Sequence, residues 1–423
     1  MHPIASQSRG SDGHDIFRAL ISIDDALGLI RARTTAIEEA EDIPLEHALG
    51  RTLARPVTAV CMSPPFDNAA MDGYAVVAAS LVGDGPWTLD VVERVPAGQA
   101  AARPLGGLQT TRIFTGAPIP TGSDAVVMQE DVQRNGATIR IVRRPPPGLN
   151  IRRAGSEMAE GATVLGQGHR LGPREIATCA AAGAGFIRVS RRLRVALLVT
   201  GDEVRQAGAD RKAAQIWDVN TPMLTAALTR PDIDIIAVEH GLDSADTLSA
   251  QLAEMAGVAD LVITTGGVSV GEEDHIKPTL LAMGAEIIFS GIAIKPGKPV
   301  SFGKIRGASW LGLPGNPLAA FITWQLFGEA LIRRMAGHSG AAPRKRYVVT
   351  AHDISRKAGR CELRPASLVG CDPQGRDVVG FEPDTHSSRV RGLSMASGLI
   401  VIPADAAWLP AGTLVEFQPF HPS

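Results

Sequence analysis

Aromatic residues, lysines and paired cysteines are scarce in this chain of 423 residues. Phenylalanine, tryptophan and tyrosine together make up 4% of it, which weakens the case for a surface that stacks nucleic-acid bases. The net charge of −2 provides no electrostatic attraction to nucleic acid either. The four cysteines show no CxxC spacing, so the sequence indicates neither a disulfide framework nor a zinc cluster.

Long apolar runs are also missing, since none reaches the length of a membrane-spanning helix. Residues 1–13 lack the basic start and the apolar stretch of a signal peptide. We therefore expect a cytoplasmic protein with a disordered leader over residues 1–15. We expect neither nucleic-acid nor membrane partners.

Glycine and proline are abundant, with 45 and 29 residues. They imply many turns, and hence β-rich modules around any α/β core. The length favours roughly two to four domains. Four of the seven lysines lie at positions 277, 295, 298 and 304. This clustering indicates either sites that need a compact ammonium group or chance.

The first half of the chain changes from a helical to a β pattern. Residues 16–57 look helical, with Ser22 or Asp24 as the cap of a first helix and a second helix over 47–54. Short alternating stretches then predict strands over 87–95, 111–115, 125–129 and 138–142. Residues 143–150 form a proline-rich connector, and a helix is predicted over 173–182.

The second half alternates strictly between strands and helices. The predicted strands cover 194–200, 234–239, 260–264, 286–289 and 310–313, and the predicted helices cover 221–228, 244–255, 274–283 and 317–335. Such alternation predicts a doubly wound parallel sheet. Residues 344–423 return to a β pattern, with turns at 372–373 and 411–412.

Three unusual loops follow strands of the predicted sheet. The loop at 266–274 combines three glycines with three carboxylates, which is typical of a phosphate site with a bound hard cation such as Mg²⁺. The others are TGDE at 200–203 and PGNP at 314–317. Alone, TGDE is typical of a capped turn. Because ligands bind beyond the carboxyl ends of parallel strands, the three loops together predict one cleft.

The IKPGKP segment places Lys295 and Lys298 on either side of a proline–glycine pair. The prolines restrict the loop, so both ammonium groups can point at one oxyanion or phosphate. A sheet edge protected by lysine is the alternative. Residues 64–75 and 115–118 are two further turns, which either bring Asp72 to a neighbouring domain or subunit or are simply tight loops.

Seven motifs, in this order, resemble those of the molybdopterin molybdenumtransferases, the MoeA family that includes the E domain of gephyrin. They read PPFDNAAMDGYA, FTGAPIPTGSDAVVMQE, NIRRAGSE, ALLVTGDEV, TTGGVSVGEEDHIK, AIKPGKPVSFGK and LGLPGNPLAAF, between residues 64 and 321. The resemblance extends from residue 16 to the C-terminus.

The resemblance implies a multidomain α/β plus β fold in an elongated homodimer. The implied domains are an elongated linker domain (16–57 with 142–191), a small β-rich domain (58–141), a doubly wound molybdopterin- and nucleotide-binding domain (192–337) and a C-terminal β-barrel-like domain (343–423). A molybdopterin adenylyltransferase and molybdoenzymes are implied as partners.

The implied reaction inserts molybdate into adenylylated molybdopterin with Mg²⁺ present and releases AMP. The matched catalytic residues are Asp72, Thr115, Glu203, Asp243 and Asp274, of which Asp274 and Glu203 are the expected Mg²⁺ ligands. The matched substrate-binding residues are Gly266, Gly267, Ser269, Lys295, Lys298, Pro314, Pro317 and Ser387. Asp72 and Thr115 are expected to act across the dimer, and the two lysines to attract molybdate.

Four departures from the family pattern fall mostly around the expected oxyanion pocket. Ser156 precedes Glu157 in NIRRAGSE, Gly291 and Ala319 replace a lysine and a serine, and Pro365 stands where an arginine is usual. Arg364 is one residue earlier, which along a strand points it to the other face. A carrier or scaffold that binds the pterin without turnover is therefore an alternative, as is a transferase that uses tungstate.

Overall fold

The computed structural model describes residues 20–241, 244–267, 275–340, 345–382 and 390–420. The chain divides into two compact units, one formed by residues 1–41, 50–54 and 190–423 and the other by 42–49 and 55–189. In the described ranges no helix is both long enough and apolar enough to cross a membrane. The domain boundaries given above stay a prediction.

The first unit contains a six-stranded sheet. Its strands in chain order are β1 (Leu193–Thr200), β2 (Ile233–Gly241), β3 (Leu261–Thr265), β4 (Glu286–Ser290), β5 (Ser301–Ile305) and β6 (Ala308–Leu313). They lie side by side in the order β2-β1-β3-β6-β5-β4. The pairs β1–β2, β1–β3 and β3–β6 are parallel, whereas β5 runs antiparallel to both neighbours. The five predicted strands are confirmed, and β5 is an addition.

Alternation along β1 divides its side chains between two cores. Val195 and Leu197 belong to one buried cluster, and Ala196 and Leu198 belong to the other. Helices Asn220–Leu228, Pro317–Thr323 and Glu329–Met335 pack on the first face, and helices Ala245–Val258 and Ile276–Ala282 pack on the second. Helices on both faces make the sheet doubly wound, as predicted.

The helix that closes this sheet is interrupted. Between its two α-helical parts, residues Trp324–Gly328 form a π-helical turn. Thr323 donates its hydroxyl hydrogen to the carbonyl of Ala319 at 2.7 Å, just before this turn. The predicted extent of 317–335 is confirmed. The helix is not α-helical throughout, since the π turn inserts an extra residue.

The C-terminal strands of the first unit close into a barrel. Strand Cys361–Cys371 pairs with both Asp377–Phe381 and Gly398–Ile402, and strands Arg346–Thr350 and Leu414–Pro419 complete the ring. The predicted β-barrel is thus confirmed. A short strand, Ile294–Lys295, also pairs with Cys361–Cys371, so part of the predicted lysine loop belongs to this sheet.

The second unit is built on another six-stranded sheet. In spatial order its strands are Ala125–Met128, Gly73–Val76, Gln109–Ile113, Trp87–Val95, Thr138–Ile141 and Val132–Asn135. Shorter pairs join Val57–Thr58 to Thr163–Leu165 and Asn68–Ala69 to Ile151–Arg152. Helix Pro173–Ala181 begins at its proline, as predicted.

The two helices predicted before residue 57 have different outcomes. Helix Ile23–Arg33 begins after Ser22, whose side chain forms a capping box with Asp25, so this prediction is confirmed. The helix predicted over 47–54 is wrong, because only the turn Leu45–His47 is helical. Beyond it, the Thr52 carbonyl accepts a hydrogen bond from the Ser190 N–H at 2.9 Å. The Ser190 carbonyl accepts one from buried Arg51 at 2.8 Å. These long-range hydrogen bonds take the place of the backbone hydrogen bonds that a helix would form.

Asp260 links β1 to the loop before β3, and its charge is expected to stabilise the first unit. Arg191 binds it in a bidentate pair at 2.6 and 2.9 Å, and the Arg194 backbone N–H donates to it at 2.8 Å. Burial opposes ionisation of Asp260, but these hydrogen bonds outweigh burial and lower its pKa from 3.8 to about 2.

We therefore expect the protein to lose stability as the pH falls from about 4 towards 2, because a carboxyl with a lowered folded-state pKa stabilises only while ionised. The loss should be roughly 1–2 kcal/mol in the free energy of unfolding. Urea unfolding at several pH values measures it. Asp260→Asn should flatten this part of the profile, and an unchanged slope would contradict the assignment.

Candidate active site

The carboxyl ends of β1, β3 and β6 lie next to one another at one edge of the sheet. Thr265, the last residue of β3, is in register with Val199 on one side and Leu313 on the other. The loops that begin at residues 201, 266 and 314 therefore leave the sheet side by side. The structure brings the described parts of the three predicted loops to one place.

Gly266 is where two of these loops touch. Its φ is +89°, and a Cβ there would lie 2.5 Å from the carbonyl oxygen and 2.8 Å from Oγ1 of Thr200. On its other side, a Cβ on Gly315 would lie 3.4 Å from the Gly266 Cα. Only glycine permits this approach and this backbone conformation. We call Thr200, Gly266, Gly267 and Gly315 the glycine cradle.

Asn220, at the start of its helix, holds the cradle together. Its side-chain amide donates to Thr265 Oγ1 at 2.9 Å and to the Gly315 carbonyl at 2.8 Å. The Thr265 hydroxyl in turn donates to the Pro314 carbonyl at 3.0 Å. Sequence reasoning missed this role, because an asparagine at the start of a helix is common and its partner Thr265 lies 45 residues away.

Two polar atoms at the cradle have no hydrogen-bond partner among the described residues. They are the Oγ1 of Thr200 and the Oδ1 of Asn220, and both residues are buried. Buried polar atoms are normally paired, so both oxygens can accept a further hydrogen bond.

The lysine loop leaves the sheet at the same edge. Ser290 at the end of β4 pairs with Ser301 at the start of β5, and Ser301 pairs with Gly312 near the end of β6. The ten residues between β4 and β5 therefore begin and end at the carboxyl end of β6. Lys295 and Lys298 are both exposed there. The structure thus places the predicted lysines on the same edge as the cradle.

Lys295 also contacts a buried carboxylate of the barrel. Its Nζ lies 3.9 Å from Oε2 of Glu362, a residue with 1% of its surface exposed. Glu362 is further paired with Arg356 at 3.6 Å and with Arg364 at 2.8 Å. One buried carboxylate thus faces three cations, one of which is the exposed Lys295.

Two departures from the family pattern have physical reasons. Gly291 has a φ of +100°, and a Cβ there would lie 2.9 Å from a methyl carbon of Leu20, so a lysine would be strained. Arg364 shares its strand face with Glu362 and lies 5.8 Å from the Phe381 ring, whereas Leu363 packs against the α/β core. Arg364 is therefore committed to the barrel interior.

The acidic residues of the prediction are only partly described. Glu203 is exposed, and a Cβ on Gly201 would lie 2.8 Å from its Oε2, so its carboxylate lies beside the first residue after β1. Asp243, Ser269, Asp274 and Ser387 lie outside the described residues. Pro314 joins the cradle through its carbonyl, and Pro317 begins the closing helix.

Asp72 and Thr115 contact each other in the second unit. Both the backbone N–H and the hydroxyl of Thr115 donate to Asp72 Oδ1, at 2.8 and 2.9 Å. The backbone bond, then the hydroxyl bond, lower the pKa of Asp72 below its usual value, with a smaller contribution from Arg112. Asp72 is thus kept ionised as a hydrogen-bond acceptor.

Three family models match the chain in sequence order. They are the MoeA N-terminal region (domains I and II) over residues 21–183, a probable molybdopterin binding domain over 196–334, and the MoeA C-terminal region (domain IV) over 347–420. The glycine cradle and both lysines fall in the second match. Asp72 and Thr115 fall in the first.

Curated relatives agree over nearly the whole chain. Molybdopterin molybdenumtransferase 2 of Mycobacterium tuberculosis is 34% identical over 382 residues, which cover 88% of this chain and 93% of the relative. The chain belongs to the molybdopterin molybdenumtransferase family. The molybdopterin molybdenumtransferase of Haemophilus influenzae is 32% identical over 407 residues, covering 95% and 99%.

A solved structure shares the fold of this family member. The molybdopterin biosynthesis MoeA protein of Pyrococcus horikoshii is 27% identical, with a TM-score of 0.81 and coverage of 95% of this chain and 100% of the other. The predicted family and fold class are therefore confirmed. Family membership makes the chain a transferase of molybdenum cofactor biosynthesis.

Proposed function

We propose that this chain inserts molybdate into adenylylated molybdopterin in a Mg²⁺-dependent reaction that releases AMP. The observation that carries the proposal is the shared edge of the first unit. There the glycine cradle, with its two unpaired buried oxygens, lies on the same side of the sheet as Lys295 and Lys298. A glycine-rich end of parallel strands on the same edge as two cations suits a phosphorylated pterin and a second, smaller oxyanion.

The described residues favour catalysis by position and charge. Gly266 and Gly267 let the loop after β3 pack tightly against Thr200 and fix the backbone of the cleft, and Lys295 and Lys298 attract molybdate. The ammonium groups would offset the negative charge that grows as the phosphoanhydride breaks. Holding both substrates at one edge removes much of the entropic barrier to their reaction. No step requires a nucleophilic side chain.

Glu203 is compatible with a Mg²⁺ site. Mg²⁺ takes oxygen ligands and is usually held by one or two carboxylates together with substrate phosphates and water. Glu203 offers one exposed carboxylate at the cleft edge. Within the described ranges no three histidine, cysteine or acidic side chains come together to hold a metal. We propose Glu203 and Asp274 as ligands, with Asp243 as a further acidic residue of the cleft and Ser387 near the molybdate.

We further propose that the chain acts as a cytoplasmic homodimer and that Asp72 and Thr115 serve the cleft of the other copy. The support is chemical: two hydrogen bonds from Thr115 fix the Asp72 carboxylate and lower its pKa, which leaves its second oxygen, Oδ2, to accept a hydrogen bond or contact a cation. An adenylyltransferase that supplies the substrate and molybdoenzymes that receive the product are the proposed partners.

Mixing two inactive variants tests this arrangement. Asp72→Ala and Glu203→Ala should each abolish turnover. If the two residues act from different copies, subunit exchange restores one intact site in each mixed dimer, so the mixture should regain about a quarter of wild-type activity. An inactive mixture, with exchange verified by mass spectrometry, would show that both residues serve one copy.

The reaction itself is tested by incubating the protein with adenylylated molybdopterin, Mg²⁺ and molybdate. AMP release that rises with molybdate concentration supports the transferase. Tight pterin binding without release supports the carrier or scaffold, which the commitment of Arg364 to the barrel interior favours. Repeating the titration with tungstate distinguishes the third possibility.

A further inference from the structure

A small two-stranded element rises from the carboxyl end of β1. Val204–Arg205 pairs in parallel with Ile216–Trp217, and the Ile216 N–H donates to the Glu203 carbonyl at 2.9 Å. On the far side, Asp218 caps the next helix by accepting a hydrogen bond from the Thr221 N–H at 2.9 Å. Trp217 is thus fixed between Glu203 and that helix.

Trp217 is close to the glycine cradle along the chain. Asn220, which binds Thr265 and Gly315, is only three residues further on, so the two Cα atoms are at most about 11 Å apart. The backbone N–H of Asp218 also donates to the Arg205 carbonyl at 2.6 Å, which holds the strand end in place. The backbone on both sides of Trp217 is therefore held in place, on one side by Glu203 and Arg205 and on the other through Asn220.

The indole has no structural role that explains its position. Trp217 is 54% exposed and Ile216 is 55% exposed, and neither belongs to a buried cluster of the described residues. The guanidinium of Arg211 lies 5.3 Å from the Trp217 ring centroid. A cation at this distance is attracted to the ring face and restricts the orientation of the ring.

We propose that Trp217 is a stacking platform for a planar, nitrogen-rich ring of the substrate. This inference rests on the proposed function, because adenylylated molybdopterin contains two such rings, the pterin and the adenine. Both have a π face that an indole can cover, and Arg211 adds positive charge beside the phosphates. In a chain with few aromatic residues, this one lies beside the cradle rather than in a core.

The test compares Trp217→Ala with Trp217→Phe and with Trp408→Ala. Trp408 is the matched control, since it is 59% exposed and lies on the short strand Trp408–Leu409, which pairs with Ile354–Ser355 in the C-terminal region. Equilibrium binding of adenylylated molybdopterin is measured without molybdate. We expect Trp217→Ala to raise Kd by roughly tenfold, Trp217→Phe by less than about threefold, and Trp408→Ala not at all.

Fluorescence separates stacking from a structural role. Substrate should quench the emission of Trp217 in the wild type, and Trp217→Phe should lose that part of the quenching while it still binds. Separate binding measurements with AMP and with unadenylylated molybdopterin identify the ring that stacks on Trp217. The ligand that binds more weakly to Trp217→Ala than to the wild type contains that ring. If Trp217→Ala binds both ligands as tightly as the wild type does, the stacking proposal is wrong.

The outcomes also separate this inference from the function on which it rests. A wild-type protein that does not bind adenylylated molybdopterin overturns both. A wild-type protein that binds it, with Trp217→Ala indistinguishable from Trp408→Ala, overturns the inference and leaves the transferase standing.

Discussion

Replacing Gly266 with alanine is expected to lower kcat/KM for adenylylated molybdopterin by at least about a hundredfold, since misplacing a substrate by roughly 1 Å has effects of that size. The new Cβ would lie 2.5 Å from the Thr200 carbonyl oxygen in a backbone at φ +89°. Either the Gly266 loop or the end of β1 must move, and both line the cradle. The positions of the Thr200 and Gly315 backbone beside Gly266 would therefore change.

Steady-state AMP release and substrate binding measure this effect. Some destabilisation is expected, about 1–3 kcal/mol for a side chain in a strained backbone, so thermal unfolding must confirm that the variant is folded at the assay temperature. Gly257→Ala is the matched control, because it lies in helix Ala245–Val258 with nothing within 4 Å of its Cβ position. It should retain activity and gain about 0.5–1 kcal/mol of stability. A folded and fully active Gly266→Ala variant would contradict the proposal that the glycine cradle positions the substrate.

Removing the ammonium group of Lys298 is expected to raise the molybdate concentration for half-maximal AMP release by roughly ten- to a hundredfold, the equivalent of about 1.5–3 kcal/mol for a bond to a charged group. Lys298 is exposed at the sheet edge. Lys295, by contrast, already contacts Glu362 at 3.9 Å. Lys298 is therefore the more available of the two for an anion.

The informative measurement compares the effect of each substitution on the molybdate requirement with its effect on the Kd for adenylylated molybdopterin. Lys298→Ala should change the Kd for adenylylated molybdopterin by less than about threefold, since a distant charge contributes little in water. Lys298→Arg should recover part of the molybdate response, and Lys357→Ala, at an exposed lysine of the barrel region, should change neither quantity. Equal losses of molybdate and pterin binding in Lys298→Ala would remove it from the oxyanion role.

Periodicity was sufficient to predict the α/β sheet. The apolar runs at 195–199 and 261–263 are buried on both faces, and such runs bounded by helices have few alternatives to a parallel sheet. The same rule explains why the three loops meet. The carboxyl ends of neighbouring parallel strands lie at the same edge of a sheet. A prediction of the order and direction of the strands therefore also predicts where their loops lie.

Long-range partners account for what sequence reasoning missed. Strand β5 is antiparallel because a short loop joins it to β6, and its apolar residues look the same in either direction. The segment 47–54 has a helical pattern, but Thr52 and Arg51 bind Ser190, which is far away in sequence. Asn220 was missed for the same reason, since its partners lie on two other loops.

The pairing of Ile294–Lys295 with the barrel connects the proposed anion site to the barrel. The loop is covalently anchored in the α/β sheet, yet Cys361 donates its backbone N–H to Ala293 at 2.9 Å, and Arg360 donates to the Ile294 carbonyl at 3.2 Å. A rotation of the barrel would therefore drag the ammonium groups along with it. A substitution that destabilises the barrel far from the cleft should therefore weaken the dependence of AMP release on molybdate before it weakens pterin binding.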